Sequence, residues 1–360
     1  MTAESIDVFF GTVTPRNGLS QGIYQGRFDD GKGTLTDIGL AATIDGPGFI
    51  DKHPSAPILY STGSIDGESV VAAFAILDAE EGPRLDFLNS QPIGDGGAAH
   101  VSTDRTGRVL MSAQYGSGSV AVFPLDADGK IGPRSDLQKH SGGSGVVDGR
   151  QDKPHAHWVG TSPDNRFVFV PDLGMDRVVI YQLDIVSSKL TPHGEGVCIP
   201  GGGPRHMKFG PDGQTIYVLN ELALSVTAFD YDSKAGTMTA TQTIPTLSED
   251  VKAKESFNSA AEIRVHPSGK FVYTSNRGHD SITAFRVDDE SGELSVIEVE
   301  PIRGGWPRNF NLDPGGKFLL AAGRDSNTVT VFSIDPNSGE LTYTRNVAMV
   351  PTPICVEFAP

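Results

Sequence analysis

Apolar and polar residues alternate along most of this chain with a period of two, and the alternation comes in packets. Each packet holds a short apolar run, a tight turn of the Pro-x-Gly kind and a second apolar run. A polar gap follows, then a third run ending near Phe or Tyr. Six stretches keep this order: GFIDKHPSAPILYSTGS, AAHVSTDRTGRVLMSAQYG, HAHWVGTSPDNRFVFVPDLG, PRHMKFGPDGQTIYVLNEL, AAEIRVHPSGKFVYTSNRG and PRNFNLDPGGKFLLAAGRD. Their third runs are SVVAAFAI, SVAVFPL, RVVIYQL, SVTAFDY, SITAFRV and TVTVFSI. Val, Ile, Phe and Tyr fill the runs, while Gly, Asp, Asn and Ser bound them. That is strand–turn–strand chemistry. The turns fall at Pro54, Arg105, Pro163, Pro211, Pro267 and Pro314, a spacing of roughly 50 residues. Stretches such as VDDESGELSVIEVE and IDPNSGELTYTR add a hairpin into a fourth strand. Four strands per repeat of this length predict the blade of a β-propeller. No long segment carries a helical period.

The two ends of the chain complete the count. PTPICVEFAP puts Pro360 in the turn register, so the chain stops after the first strand of a seventh unit. IDVFFGT and GIYQGRFD look like the second and third strands of a unit that lacks its first. The expectation is an all-β fold: a seven-bladed β-propeller over residues 1–360, a single domain, whose last blade is closed by strands from both termini. Such closure leaves no open sheet edge. Two separate all-β domains would need a linker. The most linker-like piece, GGSGVVDGRQD at 142–152, is followed directly by the next repeat.

Charge narrows the partners. Lys and Arg number 29 against 45 Asp and Glu, a formal net charge of −16. General binding to nucleic acid or an anionic membrane needs a broad positive surface, so neither is expected. Two cysteines, Cys198 and Cys355, exclude a disulfide scaffold and fit a reducing compartment, hence a cytoplasmic protein. The longest clean apolar run, 70–77, is far short of a spanning helix. MTAESIDVFF has neither a basic start nor a long apolar stretch, so no signal peptide is read there. The chain is expected to be a monomer or a weak homo-oligomer.

Propellers bind ligands at a mouth of the central channel. The start of each first strand and the end of each second strand share one mouth, because the two form a hairpin. Residues eight before and eight after the turn centre should then be rough neighbours. From Gly213 these are Arg205 and Glu221; from Gly269, Ala261 and Arg277; from Gly316, Arg308 and Arg324; from Asn165, His157 and Leu173. The first two blades carry Gly48, Ser64, Ala99 and Tyr115 there. His157, Arg205, Glu221, Arg277, Arg308 and Arg324 therefore gather on one side of one mouth. In so acidic a chain this is a local anion site, since the planar guanidinium suits carboxylate or phosphate. Glu and His add a proton donor and acceptor.

Each residue has a plainer reading too. Arg205 and Glu221 make sense as a structural ion pair, and Arg324 as an edge cation. His155, on the same strand face, and His206 rival His157. His53 and His266 precede the turn Pro and read as turn residues. His155-x-His157 lacks further ligands at zinc spacing, so no metal is expected. The Gly-rich stretches 201–204 and 142–146 lack the Lys-Ser/Thr and helix of a phosphate loop, and there is no G-x-S-x-G elbow.

At these residues the chain resembles a known family. PHAHWVGTSPDNRFVFVPDLGMDRVVIY, GGGPRHMKFGPDGQTIYVLNEL, SAAEIRVHPSGKFVYTSNRGHDSITAF and WPRNFNLDPGGKFLLAAG are similar to the lactonase family of seven-bladed propellers. That family includes bacterial propeller-type 6-phosphogluconolactonases and fungal carboxy-muconate lactonizing enzymes. The likeness runs over nearly the whole chain and is strongest from about 154 to 335. It implies a catalytic set of His157, Arg205, Glu221 and Arg277, with Arg308 as an additional anion contact; Arg324, His155 and His206 are expected as further substrate contacts from their places in the repeat. It implies a small anionic lactone as substrate and no metal or organic cofactor.

The expected reaction is hydrolysis of 6-phosphoglucono-δ-lactone. An arginine stabilises the oxyanion, and His157 or Glu221 acts as general base. Run in reverse on a muconate, the same set gives a lactonizing cycloisomerase. A non-catalytic interaction platform is the rival of another class. It needs no His/Glu/Arg set at one mouth, and the repeats lack the WD dipeptide. A calcium-dependent sugar lactonase would need converging carboxylates instead of arginines.

Overall fold

A computed structural model describes residues 5–14, 19–78 and 84–359. The expectations placed on Pro360 and on residues 1–4 lie outside them. Among the described residues the strands form seven four-stranded antiparallel sheets, a seven-bladed propeller. The inner strands of blades one to six are Ile50–Lys52, His100–Thr103, Gly160–Thr161, Pro204–Phe209, Ser259–Val265 and Pro307–Leu312. Each blade then runs outward through three more strands. The seventh blade takes its inner strand, Pro353–Phe358, from one end of the chain. Its other three, Ser5–Thr12, Gly22–Asp29 and Thr34–Thr43, come from the other end. Val8 pairs with Phe358 and Thr12 with Pro353. The described residues hold one helix, the single turn Glu249–Lys252.

The core lies between neighbouring sheets. Period-two alternation gives each blade two faces, one covered by the preceding blade and the other by the next blade round the ring. Phe169, Met207, Val218, Phe229 and Tyr231 fill the space between blades three and four. Phe271, Tyr273, Phe310, Leu319 and Phe332 do so between blades five and six. Each such side chain contributes about 1.5–3 kcal/mol over its exposed state.

Polar ties repeat along with the sequence. Tyr60, Tyr217 and Tyr273 donate to the carbonyls of Gly129, Gly292 and Gly339 in the next blade, at 2.9, 3.3 and 2.9 Å. Gly339 has φ +79°, and a Cβ there would run into the Phe271 ring. His53 and His266 act in the turns, as their place in the repeat suggests. His53 Nδ1 accepts the amides of Ser55 and Ala56, and Nε2 bonds Gly107 O of the next blade at 3.1 Å. His266 does the same through Ser268 and Gly316 O, the latter at 2.7 Å.

The register differs in one respect. Counting eight residues each way sets Arg205 opposite Glu221 and Ala261 opposite Arg277. The ladder instead pairs Pro204 with Asn220 and Ser259 with Arg277. The hairpins are centred slightly earlier than the turn Gly. The inner strands of blades four, five and six also each carry a bulge, between Pro204 and His206, Ala260 and Ile263, and Pro307 and Asn309. A bulge adds one residue and re-aims the side chain it carries.

Candidate active site

Those bulges build the site. Arg205 and Arg308 are the residues skipped by the ladders of blades four and six. Both line a cavity of about 260 Å³ at the channel mouth where the inner strands begin. His206, Asn309 and Phe49 share that lining, and Gly48, Ala98 and Ala99 from the first two blades leave it open on the other side. The small residues that the register placed in blades one and two thus face the cations of blades four and six.

Behind this wall sits Glu221, just past the second strand of blade four, where its amide donates to Gly203 O at 2.7 Å. Its carboxylate meets three guanidiniums. Oε2 accepts from Arg205 Nε at 2.9 Å and lies 3.1 Å from Arg277 Nη2. Oε1 accepts from Arg150 Nη2 at 2.8 Å. Burial opposes the charge on Glu221. Arg277, Arg205 and His157 outweigh it, with the Arg150 hydrogen bond added, and hold the carboxyl well below its usual range. Arg205 also donates through Nη1 to Ala261 O, and Arg277 through Nη2 to Ala260 O at 2.8 Å, so the bulged strand of blade five orients both. Burial, then Arg277 beside it, lowers Arg308 to about 10. Burial, Arg308 and Arg277 push Arg205 well below its usual value, with Glu221 and Glu262 opposing.

His157 precedes the short inner strand of blade three, its amide bonded to Pro171 O at 3.0 Å. It is 3% exposed, and its Nδ1 is buried with no hydrogen-bond partner. Burial, Arg205 and His206 drive its pKa well below 6.5, against a weaker pull from Glu221. The imidazole is therefore neutral near pH 7. His206 lies 5.2 Å away, ring to ring, and its Nδ1 is 3.1 Å from Glu262 Oε1. Glu262 also accepts from Asn309. His155 stacks on Tyr115 at 4.3 Å and bonds Tyr115 O through Nδ1 at 2.7 Å. Arg324 stands at the rim, its Nε 2.6 Å from Asp325 Oδ1 and its guanidinium 4.7 Å from the centre of the Trp306 ring.

The structure thus brings together His157, Arg205, Glu221, Arg277 and Arg308, with His206 beside them, His155 one step out and Arg324 partly neutralised at the edge. Three further participants escaped the sequence reading. Tyr115 holds a register position but is not among the charged residues and histidines that the register gathers at the mouth. Trp306, at φ +60°, lies under both Arg277 and Arg324. Arg150 comes from the 142–152 connection, which no repeat position marks. Among the described residues no three His, Cys, Asp or Glu side chains converge as metal ligands.

Two other places compete by size or charge. A cleft of about 530 Å³ lies beside blade three, lined by Met175, Asp176, Arg177, Glu195 and Cys198; its buried carboxylate, Asp176, is taken up by Gln151 Nε2 and the amides of Gly201 and Gly203, and Arg177 pairs with Glu195. At the opposite end of the inner strands, Lys52 pairs with Glu357 at 3.4 Å. Asp51 there is raised to about 7 by burial and Glu357. Burial and Arg264 lower Lys208 to about 8. Cations and carboxylates balance there, unlike at the arginine mouth.

Comparison with known proteins gives a consistent picture. The family model described as Lactonase, 7-bladed beta-propeller, matches residues 7–358. A 6-phosphogluconolactonase of Bacillus subtilis (strain 168) is 36% identical over 350 residues, 97% of each chain. A 6-phosphogluconolactonase of Formosa agariphila is 32% identical over 313 residues, 85% of this chain and 86% of that one. The solved structure of the periplasmic gluconolactonase of Pseudomonas aeruginosa superposes with a TM-score of 0.90 at 29% identity, covering 99% of both chains.

Proposed function

The chain belongs to the seven-bladed β-propeller lactonase family, and on that footing we propose that it is a lactone hydrolase acting on 6-phosphoglucono-δ-lactone at the arginine-lined mouth. The relatives of Bacillus and Formosa carry that activity in their names. The observation that carries the residue roles is the division of labour between Glu221 and His157. Both oxygens of Glu221 are committed to guanidiniums, and its carboxyl is held far below neutrality. It is a poor proton acceptor and a good anchor. His157 is neutral, with one ring nitrogen unpartnered. It is the general base.

In this reading the lactone lies against Arg205 and Arg308. Water loses a proton to His157 as its oxygen bonds the carbonyl carbon. The carbonyl oxygen takes the negative charge and is stabilised by the guanidiniums, which are already in place. Collapse of the tetrahedral adduct breaks the ring C–O bond. The departing alkoxide recovers the proton from His157, and the product is 6-phosphogluconate. No electron transfer is involved. Glu221 keeps Arg205 and Arg277 in orientation throughout. His206, fixed through Nδ1 by Glu262 and lining the cavity, contacts the substrate ring.

Among the described residues no helix is long and apolar enough to cross a membrane. Both thiols are buried and unpaired, and we place the enzyme in the cytoplasm, acting as a single-domain monomer or weak oligomer. The test is opening of freshly made 6-phosphoglucono-δ-lactone, corrected for the spontaneous rate, by wild type and by a His157→Ala/Glu221→Ala double variant. Acceleration by wild type alone supports both the reaction and the site. A folded wild type that gives no acceleration refutes the reaction, and a double variant as fast as wild type refutes the residues.

A further inference from the structure

Arg150 belongs to no blade. It sits on the connection between blades two and three, next to a firm anchor. Gln151 is fully buried. Its Nε2 donates to Leu173 O at 2.9 Å and Asp176 Oδ1 at 2.6 Å, and its Oε1 accepts from the Val147 amide at 3.1 Å. The backbone beside Arg150 is therefore fixed, and the side chain extends across the mouth. Its Nη2 reaches Glu221 Oε1 at 2.8 Å and the Tyr115 hydroxyl at 3.4 Å. Tyr115 belongs to blade two and Glu221 to blade four. Arg150 thus spans the blade-three sector, where His157 lies 5.4 Å, ring to ring, from Tyr115.

Two features set Arg150 apart from its neighbours. Its side chain is 34% exposed, against 2% for Arg205 and 6% for Arg277. Only Nη2 is engaged among the described residues, so Nε and Nη1 are left with donors to offer. The charge balance adds a reason for using them. Arg150, Arg205, Arg277 and Arg308 face the carboxylate of Glu221, a formal surplus of three positive charges, since Glu262 on the other side of Arg205 is matched by Arg264 at 3.6 Å. A neutral lactone leaves that surplus uncompensated, whereas a phosphate dianion removes most of it. The guanidinium fork is the side chain best shaped to take a phosphate edge.

We propose that Arg150 reads the phosphoryl group of the substrate, giving up its bond to Glu221 to hold that group, and so sets the preference for phosphorylated over neutral lactones. The inference rests on the lactone hydrolase reading and names a residue that sets its specificity. The readout is a ratio, kcat/KM for 6-phosphoglucono-δ-lactone over kcat/KM for glucono-δ-lactone, in wild type, Arg150→Gln and Arg150→Lys.

Loss of a charge-assisted bond to a dianion corresponds to a fall of about 10- to 100-fold in this ratio in Arg150→Gln. The fall is expected in the KM of the phosphorylated lactone, with partial recovery in Arg150→Lys. A ratio within about twofold of wild type overturns the proposal, whatever the absolute rates do. If wild type opens neither lactone, the functional reading fails and calorimetric binding of 6-phosphogluconate and gluconate decides about Arg150. A preference for the phosphorylated acid that Arg150→Gln abolishes supports the role. A preference that survives, or none in wild type, overturns it.

Discussion

Replacing Glu221 tests the electrostatic construction of the mouth most directly. Glu221→Gln keeps the shape and removes the charge that three guanidiniums share. Arg205 and Arg277, with side chains 2% and 6% exposed, are left facing each other and Arg308 with little solvent to screen them. Removing one partner of a buried ion pair costs about 3–5 kcal/mol. Arg150 is a third exposed and adds little to that sum. For 360 residues the unfolding entropy is about 0.76 kcal/mol per kelvin, so Tm should fall by about 4–7 °C. Gln, which retains an acceptor oxygen, belongs at the lower end of that range and Ala at the upper.

The pH dependence has a defined sign. The folded pKa of Glu221 is depressed below its ordinary 4.5. Its contribution is complete above that value and is lost only as pH falls from there through the folded value. The Tm gap between wild type and variant should be flat from about pH 5 to 8 and narrow below about 4. Glu221→Ala leaves a hole ringed by guanidiniums, so phosphate at about 100 times its Kd should restore roughly 2.7 kcal/mol, or 3–4 °C. Scanning calorimetry with and without phosphate reads all of this. A Tm for Glu221→Gln within about 1 °C of wild type would show that the carboxylate does not organise these arginines.

Other expectations follow from neighbouring groups. Burial, the largest cause for each, lowers the pKa of His100, His157 and His206 well below 6.5. The unfolded chain takes up protons below pH 6.5 that the folded chain refuses, so urea stability should fall from pH 7 to 5, by up to about 1.4 kcal/mol per pH unit for each histidine; constant stability over that range would contradict their burial as neutral rings. Arg277→Ala should cost about 100-fold or more in kcat/KM, by loss of an oriented donor. Arg324→Ala, already paired to Asp325, should stay within about threefold; equal losses for the two would remove the distinction between wall and rim. Truncation after Thr352 takes away an inner strand whose Val356 and Phe358 are buried. Thermal unfolding of that variant should lose its single sharp transition, and an unchanged melting profile would argue against closure as the clasp of the ring.

The blades were legible because their signal is repeated. Apolar runs at period two recur in every unit, parted in most of them by a turn Pro and a Gly that tolerates positive φ, and the split seventh unit could be inferred from six complete copies of the rule. Bulges do not show in such a pattern. The extra residue at Arg205 and at Arg308 shifts the ladder by one while leaving the alternation of residue types intact, so the side chains could be named but not their partners. His100 falls outside the register pairs, yet it packs in the channel 4.1 Å from Phe49, ring to ring. Its neighbours come from other blades and only closure of the ring brings them near. Arg150 was hidden for the opposite reason. It lies on a connection of Gly, Ser and Asp whose path depends on where buried Gln151 finds its partners, and such long-range hydrogen bonding leaves no trace in local composition.

The composite seventh blade also decides how the molecule can be held. Its inner strand enters at the arginine mouth, where Thr12 and Ile354 touch the cavity, and leaves at the far end, where Phe358 lies against Val8. Ser5 pairs with Asp29 at that same far end. A surface tether or a fused domain joined before Ser5 or after Ala359 would therefore project from the side away from the lactone. Immobilised through either end, the protein would present its open mouth outward to the solution.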